Sequence, residues 1–506
     1  MSEFESHEGL PREAEVLRAR RESMERLREG GIEPFALMFD VDTHAADLLA
    51  EFEDRLDPEE VSDRRASVAG RVVLARRHGK LTFLVIRDRS GDLQLFCEEA
   101  TLGVDGYALL DDVDLGDIVG AIGHVVRTRG GELSLKVDSL TMLTKALRPL
   151  PEKHHGLQDP DLQHRRRYLH LITDPQARAY LQARATVLRT IRRELDERGF
   201  VEVETPVLQS VAGGALAKPF TTHHNALDID LKLRISLELY LKRLLVGGIE
   251  RVYEIGRNFR NEGIDREHNP EFTMLELYQA YGDYETMMRI AEILIRASAE
   301  SVHGGLLLRF RDRELDLGAP FHRITVLGAV SLAIGEPITL DRPDLADLAD
   351  RHGVSVDPAW RPGKIVLELF EKLVEHTLFE PTFVCDFPRE VSPLARPHRD
   401  DPALTEHFDV IVGGVELGTA FSELTDPIEQ RAKFEDQMAQ GEAGDEEAHP
   451  LDEDFLMALE HGMPPTGGIG IGIDRLLMVL TDAPSLRDLI LFPHQRPETS
   501  TTSPEA

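Results

Sequence analysis

The first recurrent pattern of apolar residues along the chain is helical. In residues 12–30, the positions at helical spacing are Val16, Leu17, Arg20, Met24 and Leu27. Gly30-Gly31 then ends the pattern. Six arginines lie among glutamates on the polar face. The sequence leaves two interpretations of this face open: a solvated face with ion pairs four residues apart, or a face that contacts RNA.

Between about residues 66 and 145 the apolar residues alternate with polar ones, which is the period of a β-strand. The runs with this period are SVAGRVVLARR, LTFLVIRDRSG, DLQLFCEE, DIVGAIGHVVRT and ELSLKVDSLTML. Five short strands with glycine-bearing turns predict a small barrel, with the OB-fold as first candidate. That fold often binds single-stranded nucleic acid through exposed aromatic side chains.

The remainder of the chain mixes helices and strands. Residues 146–175 contain four prolines and the run His164–Tyr168, HRRRY, which together indicate a linker with a basic patch. A helix is predicted over 179–199, with Gly199 as its C-cap, from an apolar face formed by Leu181, Leu188, Ile191 and Leu195. The acidic stretch 435–454 indicates a helical surface insert, and the tail PETSTTSPEA has a disordered composition.

Composition narrows the class of protein. The 506 residues correspond to two or three domains, and 42% hydrophobic residues can form a sizeable core. The net charge of −33 argues against a wholly basic surface but leaves room for a local basic face. Only Cys97 and Cys385 are present, which excludes a disulfide framework and a cysteine zinc site and fits a reducing, cytoplasmic location. The acidic N-terminus is no signal peptide, and we expect no membrane span.

The segment 251–281, RVYEIGRNFRNEGIDREHNPEFTMLELYQAY, places polar chemistry on a predicted strand face. Two strand-like runs flank a polar loop, and in the second run alternate residues fall on one face: Phe272, Met274, Glu276 and Tyr278. Such a face is an unusual core but a plausible floor for a ligand with a flat ring and an amine. Before the loop, Arg260 and Glu262 also share a face, and arginine suits phosphate or carboxylate.

The segment 407–424, HFDVIVGGVELGTAFSEL, predicts a hairpin that turns at Gly413-Gly414. In that register Asp409 pairs with Gly418, so Asp409 and Glu416 become diagonal neighbours. Two carboxylates this close need a cation between them, and Mg²⁺ held together with a substrate phosphate satisfies this; two solvated carboxylates remain the alternative. The next face residues, beginning at Thr419, are out of phase with Glu416, which requires a bulge at Gly418.

The segment 467–480, GGIGIGIDRLLMVL, is a glycine-rich strand that runs into an apolar helix. A dinucleotide fingerprint starting at Gly470 would need glycine at position 475, where Arg475 stands. The glycines instead let a ligand lie against the backbone, while Arg475 can stack on a ring or pair with phosphate.

Together the three segments resemble the signature motifs of class II aminoacyl-tRNA synthetases. The first motif is RGFVEVETP at 198–206, the second is FRNEG with HNPEF, and the third is GIGIGIDR. Within that class the chain is most similar to bacterial-type lysyl-tRNA synthetases, through the runs KALRPLPEK, KPFTTHHNALD, ELYLKRLLVGG, HNPEFTMLELY, EVSPLAR and MPPTGGIGIGIDR.

The resemblance implies roles for individual residues. The implied catalytic residues are Arg260, Glu262 and Arg475, with Arg260 on the α-phosphate and the amino-acid carboxylate. The implied ATP-binding residues are Arg260, Glu262, His268, Phe272 (against adenine), Glu416 and Arg475, while Asp409 and Glu416 would hold Mg²⁺. The implied lysine-binding residues are Gly214, Glu238, Arg260, Glu276, Tyr278, Thr419, Phe421 and Glu423. A buried ammonium needs such carboxylates, because leaving it unpaired costs about 3–5 kcal/mol.

In the predicted barrel, Phe83, Gln94 and Glu132 match the family positions that bind a U-rich anticodon. An aromatic ring stacks on a base, whereas Gln and Glu bind its Watson–Crick edge. A place for Phe83 in the barrel core is the alternative.

The chain departs from the family pattern at the predicted lysine site. Relatives usually have A-P-E-L where this chain has Ser236-Leu237-Glu238-Leu239, and Asn-Gly where it has Thr419-Ala420. Lys218 stands where arginine is commoner. We expect these changes to affect substrate affinity more than the reaction.

The resemblance implies an α+β protein with an N-terminal helix and OB-fold anticodon-binding domain over 1–148 and a linker over 149–175. It further implies a catalytic domain over 176–497, built on an antiparallel sheet flanked by helices, and a disordered tail over 498–506. We expect a homodimer, formed near residues 198–208, that ligates L-lysine to tRNA(Lys) with Mg·ATP. The alternatives are a relative that lysylates a protein or lipid, a paralogue with altered amino-acid preference, and a non-catalytic binder.

Overall fold

In the computed structural model, which describes residues 9–151, 157–215, 217–442 and 451–497, the chain divides into units 1–156 and 157–506. The elements of the first unit are α1 (Gly9–Glu29), α2 (Ala45–Phe52), β1 (Val61–His78), β2 (Leu81–Arg87), β3 (Asp92–Glu98), α3 (Glu99–Ala108), β4 (Ile118–Arg127) and β5 (Leu133–Thr144). The five strands close into a barrel in the order β1-β2-β3-β5-β4, which confirms the predicted OB-like architecture. The alternation of apolar and polar residues along the strands explains this architecture, because Leu84, Ile86 and Leu95 fill the barrel while their neighbours in sequence face outward.

The predicted N-terminal helix is confirmed as α1, but one of its arginines is not on a free face. Arg20 is buried, and its guanidinium donates to the carbonyl oxygens of Ala146, Arg148 and Leu115 at 2.8, 2.9 and 2.9 Å. Its charge therefore serves the packing of the first unit and is not offered to RNA.

The second unit begins with three helices, α4 (Pro160–Arg165), α5 (Arg167–Thr173) and α6 (Pro175–Glu197). The first two occupy part of the predicted linker, and its basic run is only partly exposed to solvent. Arg167 is buried and donates to the carbonyl oxygens of Leu491, Arg487 and Ile490. On α6 the buried face includes Val187, Ile191 and Leu195, whereas Leu181, predicted on that face, is exposed. Gly199 follows this helix at φ 75°, as predicted.

The remaining elements form a central eight-stranded sheet, two small sheets of three and two strands, and the helices around them. They are β6 (Val201–Glu202), β7 (Leu208–Gln209), β8 (Thr221–His224), β9 (Ile229–Leu233), α7 (Glu238–Val246), β10 (Arg251–Phe259), β11 (Glu271–Ala280), α8 (Tyr284–His303), β12 (Leu307–Phe310), β13 (Arg313–Asp316), β14 (His322–Thr325), α9 (Val326–Ile334), α10 (Leu345–Arg351), α11 (Pro362–Leu373), β15 (Thr382–Cys385), β16 (His407–Val412), β17 (Val415–Ser422), α12 (Pro427–Glu442), α13 (Glu453–Glu460), β18 (Thr466–Gly472), α14 (Ile473–Thr481) and α15 (Leu486–Leu489).

The central sheet has the order β14-β15-β16-β17-β18-β11-β10-β6. Its pairs are antiparallel except β14–β15 and β10–β6, so the predicted antiparallel sheet is confirmed. Helices α6, α8 and α14 pack on one face, against Leu275, Leu277 and Ile469. The opposite face carries the polar residues considered below.

Two further predictions concern the periphery of the second unit. The predicted acidic insert, 435–454, begins within α12, and its residues 443–450 lie outside the described part of the chain, as does the tail 498–506. Among the helices that the structure describes, none combines the length and apolarity needed to cross a membrane.

Candidate active site

The polar face predicted on β11 is confirmed. Phe272, Met274, Glu276 and Tyr278 line two neighbouring cavities, while Leu275 is buried on the other face of the sheet. The larger cavity, about 360 Å³, contains Glu276 and Tyr278, and the smaller one, about 160 Å³, contains Phe272. The strand period alone accounts for this separation of polar and apolar side chains.

Three buried glutamates converge on the larger cavity: Glu238, Glu276 and Glu423. Gly214, Arg260, Asp409, Glu416, Thr419 and Phe421 line it as well. The structure thus brings together every residue predicted to bind lysine. Gly214 has φ 88°, and a Cβ there would lie 2.8 Å from Ser236 Oγ, so the close approach of this backbone requires glycine.

Glu276 is the most fully hydrogen-bonded of the three glutamates. Its Oε1 accepts from Ser236 Oγ and from the backbone N–H of Leu237, both at 2.9 Å, and its Oε2 accepts from Tyr278 Oη at 3.1 Å. Burial and the nearby Glu238 nevertheless raise the pKa of Glu276 to about 7, against these hydrogen bonds. Two of its donors come from Ser236 and Leu237, where the chain departs from the family pattern.

Lys242 is the cation of this cavity that the sequence analysis missed. Its side chain is fully buried; Nζ lies 2.5 Å from Glu238 Oε1 and is also ion-paired with Glu423 Oε2. Burial lowers the pKa of Lys242, but Glu238 and Glu423 outweigh it and raise the pKa above its ordinary value. The available signal was its position four residues after Glu238, one helical turn away.

Glu423 retains one oxygen without a partner. Both of its oxygens are buried without a hydrogen bond of ordinary geometry from the residues that the structure describes, but Oε2 has its ion pair with Lys242, so Oε1 is the one left without a partner among them. Burial raises the pKa of Glu423 to about 8, with Lys242 acting in the opposite direction. A Cβ at Gly468 would collide with this oxygen and with the Tyr278 ring, so glycine in β18 leaves Oε1 room in the cavity.

The smaller cavity gathers the residues predicted to bind ATP: Arg260, Glu262, His268, Phe272, Glu416 and Arg475. The Arg260 guanidinium lies 5.1 Å from the centre of the Phe272 ring. Burial lowers the pKa of Arg260, while Glu262, Glu276 and Glu416 raise it; the group remains a cation. A flat aromatic face and a buried cation thus lie side by side.

Arg475 connects this cavity to the loop after β10. Its Nη1 donates to the backbone oxygen of Glu416 at 3.0 Å, and its Nη2 lies 3.1 Å from His268 Nε2. Because arginine can only donate, Nε2 accepts and the proton of a neutral imidazole lies on Nδ1, which is 2.8 Å from Asp265 Oδ2. The side chain of His268 is therefore already oriented at the edge of the cavity.

The predicted hairpin forms, but its register differs from the prediction. Gly413 and Gly414 have φ 66° and 73°, as a two-residue turn requires. Asp409 pairs with Thr419 instead of Gly418, because the extra residue is Leu417, between the pairs Ile411–Glu416 and Val410–Gly418. The predicted change of phase is present, and it brings both Glu416 and Thr419 to the cavity.

Asp409 and Glu416 belong to a wider group of carboxylates. Burial together with Glu416 and Asp409 raises the pKa of Glu375 to about 7, and the same groups raise the pKa of Glu371. Among the described residues, no three His, Cys, Asp or Glu side chains are arranged to hold a metal ion unaided. Two carboxylates in an acidic surrounding fit Mg²⁺ that takes its other oxygens from phosphate and water.

The hydroxyl of Thr419 is hydrogen-bonded to a histidine that the sequence analysis did not single out. Its Oγ1 lies 2.8 Å from His407 Nε2, which is also 3.1 Å from Asp409 Oδ1. The other ring nitrogen, Nδ1, lies 2.8 Å from Ser392 Oγ, and the ring stacks on Phe387. The position of His407 two residues before Asp409 on the same strand face was the available signal.

The barrel of the first unit presents the three predicted anticodon residues on its surface. Phe83 is not in the core; it packs edge-to-face on Phe96, with ring centres 5.4 Å apart. Gln94, on the neighbouring strand, donates to Ser134 Oγ at 2.9 Å, and Glu132 is exposed before β5. Phe96 was missed, although it lies on the same face as Gln94 two residues later. Stackable rings and amide groups on one barrel face suit unpaired bases.

Comparison with known proteins finds a matching family for each of the two units. The family of class II tRNA synthetases (D, K and N) matches residues 159–496, and the OB-fold nucleic acid binding domain family matches residues 66–143. A lysine–tRNA ligase of Moorella thermoacetica is 51% identical over 97% of this chain and 99% of its own length. Those of Lactiplantibacillus plantarum and Bacillus subtilis are 49% and 45% identical, over 95% and 98% of this chain and 97% and 99% of their own lengths. The chain belongs to the lysine–tRNA ligase family of class II tRNA synthetases.

Proposed function

We propose that this protein activates L-lysine with ATP, releasing pyrophosphate, and transfers the lysyl group to tRNA(Lys), releasing AMP. The observation that carries the proposal is a cavity with three buried glutamates directly beside a cavity with Arg260, Phe272 and Arg475. An amino acid with a cationic side chain fits the first cavity and a nucleotide fits the second. Because Arg260 lines both, carboxylate and α-phosphate meet there.

The chain's own residues supply positioning and charge. Arg260 binds the lysine carboxylate and the α-phosphate, which holds the two reacting groups together and offsets the charge that develops on the phosphate. Phe272 and Arg475 hold adenine between them, and Glu262 and His268 bind the nucleotide. Glu238, Glu276, Tyr278 and Glu423 surround the lysine side chain. The carboxylate of lysine is itself the nucleophile, so the step requires no general base.

Asp409 and Glu416 would hold Mg²⁺ that enters with ATP. The bound ion would neutralise phosphate charge during adenylate formation. The acidic surroundings, which raise the pKa of Glu375, support a cation at this place.

The barrel unit would bind the anticodon, and the second unit would carry out catalysis. Phe83 stacks on a base, and Gln94 and Glu132 bind base edges. The pair Phe83–Phe96 supports this, because a half-buried edge-to-face pair offers a stacking surface outside the core.

The protein would act as a cytoplasmic homodimer joined near residues 198–208. Strand β6 lies at the edge of the central sheet, and its Val201 is 50% exposed. Val207 and Leu208 are 39% and 47% exposed nearby. An apolar edge strand is a liability that a second copy removes. We expect V207D/L208D to convert the dimer to monomer in light scattering; a monomeric wild type would contradict this assembly.

Amino-acid-dependent pyrophosphate exchange with each of the twenty amino acids tests the central proposal. We expect exchange with lysine, its loss in R260A, and a requirement for more Mg²⁺ in D409A and E416A. Exchange that is strongest with another amino acid would support a changed preference, and none at all would support a binder. Lysine exchange without charging of tRNA(Lys) would favour a protein or lipid acceptor.

A further inference from the structure

The larger cavity, called the lysine cavity below, holds carboxylates that differ in their hydrogen bonds and ion pairs. Glu276 is satisfied by Ser236, Leu237 and Tyr278. Glu238 and Glu423 share a single cation, Lys242. Of the two buried oxygens of Glu423, Oε2 has its ion pair with Lys242, whereas Oε1 has neither an ion pair nor a hydrogen bond among the described residues. A substrate ammonium that enters the cavity can therefore bind Oε1 without displacing Lys242.

Lys242 is held firmly at the inner side of this arrangement. It follows Glu238 by one turn of α7, so the helix itself sets the pair. Its side chain has no exposed surface, and Nζ lies 6.0 Å from the centre of the Tyr278 ring. The ammonium cannot move to solvent without leaving two buried carboxylates unpaired.

We propose that Lys242 is a positioning residue that determines the specificity of the cavity: its ammonium holds Glu238 and Glu423 apart and reserves Oε1 of Glu423 for the side-chain ammonium of the substrate. This inference rests on the proposed lysine activation and names a residue through which two of the pocket glutamates act.

The charge balance of the cavity follows from this role. When all three glutamates are ionised, as they are with lysine bound, they and Lys242 leave an excess of two negative charges. A bound lysine brings two ammonium groups, and its carboxylate lies with Arg260. An uncharged amino acid of similar size would leave part of the excess unpaired, which a buried site tolerates poorly.

Without Lys242 the same glutamates would be in conflict. Two carboxylates at such short range cannot both remain ionised, and they share a proton instead. The shared proton would join Glu423 to Glu238 and turn it away from the substrate. The loss should therefore appear in lysine binding and leave the nucleotide side unaffected.

The experiment begins with lysine-dependent pyrophosphate exchange in the wild type, whose absence would overturn the proposed function itself. In K242M we expect the lysine KM to rise about 30-fold or more, with kcat and the ATP KM within about threefold of wild type. In K242M/E238Q the amide of Gln can donate to Glu423 Oε2, so we expect the lysine KM to return to within about fivefold of wild type. K433M, at a half-buried lysine bonded to the carbonyl oxygens of Ser392 and Ala395, is the matched control and should keep the lysine KM.

An unchanged lysine KM in K242M, or a double variant as impaired as K242M, would overturn the role of Lys242 while leaving lysine activation in place. A crystal structure of the wild type with lysine decides the matter even if a variant fails to fold. We expect Lys242 Nζ to remain between the two carboxylates with the ligand ammonium at Glu423 Oε1. A ligand ammonium that displaces Nζ would overturn the inference.

Discussion

At the scale of single residues, burial in the lysine cavity changes the pH at which its glutamates are protonated. Without a bound cation the pKa values of Glu276 and Glu423 are about 7 and about 8, because burial disfavours their charged forms. Both lie above the ordinary value, so the folded state holds extra protons in the window from about pH 4.5 to 8. The contribution of these groups to the free energy of unfolding is present below that window and is lost as the pH rises through it.

Lysine binding should therefore release protons. We expect release of about one proton near pH 7, and therefore about 100-fold tighter lysine binding at pH 8 than at pH 6. Calorimetric titration in buffers of different ionisation enthalpy measures the release directly. A binding enthalpy that is the same in every buffer would contradict ionisation of these glutamates on binding.

Hydrogen bonds from Ser236 and Leu237 should keep the pKa of Glu276 lower than burial alone would set it. Each donates to its Oε1, and each hydrogen bond lowers its pKa. Since a hydrogen bond to a charged group is worth about 1.5–3 kcal/mol, S236A or L237P should raise the lysine KM at pH 7 about tenfold or more, and less at pH 8.5. The exposed serine in S210A is the control. A lysine KM that rises by the same factor at both pH values would argue against an effect on the ionisation of Glu276.

Thr419 and Ala420, which both depart from the family pattern, have different surroundings in the structure. Thr419 lines the cavity, whereas Ala420 is buried in the core opposite Phe408. T419N alone should lower the lysine KM about 2- to 13-fold, by adding one neutral hydrogen bond. A420G should leave the KM unchanged and lower the free energy of unfolding by about 0.5–1 kcal/mol. If T419N binds lysine no better, the threonine is neutral.

Strand β18 shows at the scale of elements how a backbone can shape a pocket. In G468A the new methyl group would collide with Glu423 Oε1 and Tyr278, neither of which can retreat through the core. Overpacking of about 1–3 kcal/mol corresponds to a lysine KM raised about 5- to 150-fold. In G470A the methyl group meets only the flexible end of Met274, at 2.8 Å, so the change should stay within about threefold. Equal effects of the two variants on KM would contradict this difference.

The elements also show which parts of the site could be predicted from sequence. The polar face of β11 and the turn at Gly413-Gly414 follow from local rules, namely the strand period and the need for positive φ. The bulge was predicted one residue late because the pairing of Ile411 with Glu416, which makes Leu417 the extra residue, depends on the opposite strand. Lys242 was missed because its second partner, Glu423, comes from a distant strand. Arg167 was misinterpreted for the same reason, since its carbonyl acceptors lie near the C-terminal end of the chain.

At the scale of the whole molecule, the proposed sites for amino-acid activation and for anticodon binding lie in separate compact units. Base stacking is worth about 1–3 kcal/mol, so F83A should lower the charging of tRNA(Lys) about 5- to 150-fold and leave exchange without tRNA intact. L84A, which removes a buried side chain of the same strand, is the comparison and should lower the thermal stability of the barrel. Equal loss in both assays for F83A would indicate damage to the fold.

The shared cation of the lysine cavity also constrains how the protein can change over time. Lys242 is ion-paired with Glu238 and Glu423 at once. A substitution at any of the three therefore leaves at least one buried charged group without one of its partners. A route to another substrate must then pass through paired substitutions, each harmful alone and tolerated together. A library that varies these three positions should recover functional sequences whose changes are correlated, so the cavity is a site of strong epistasis.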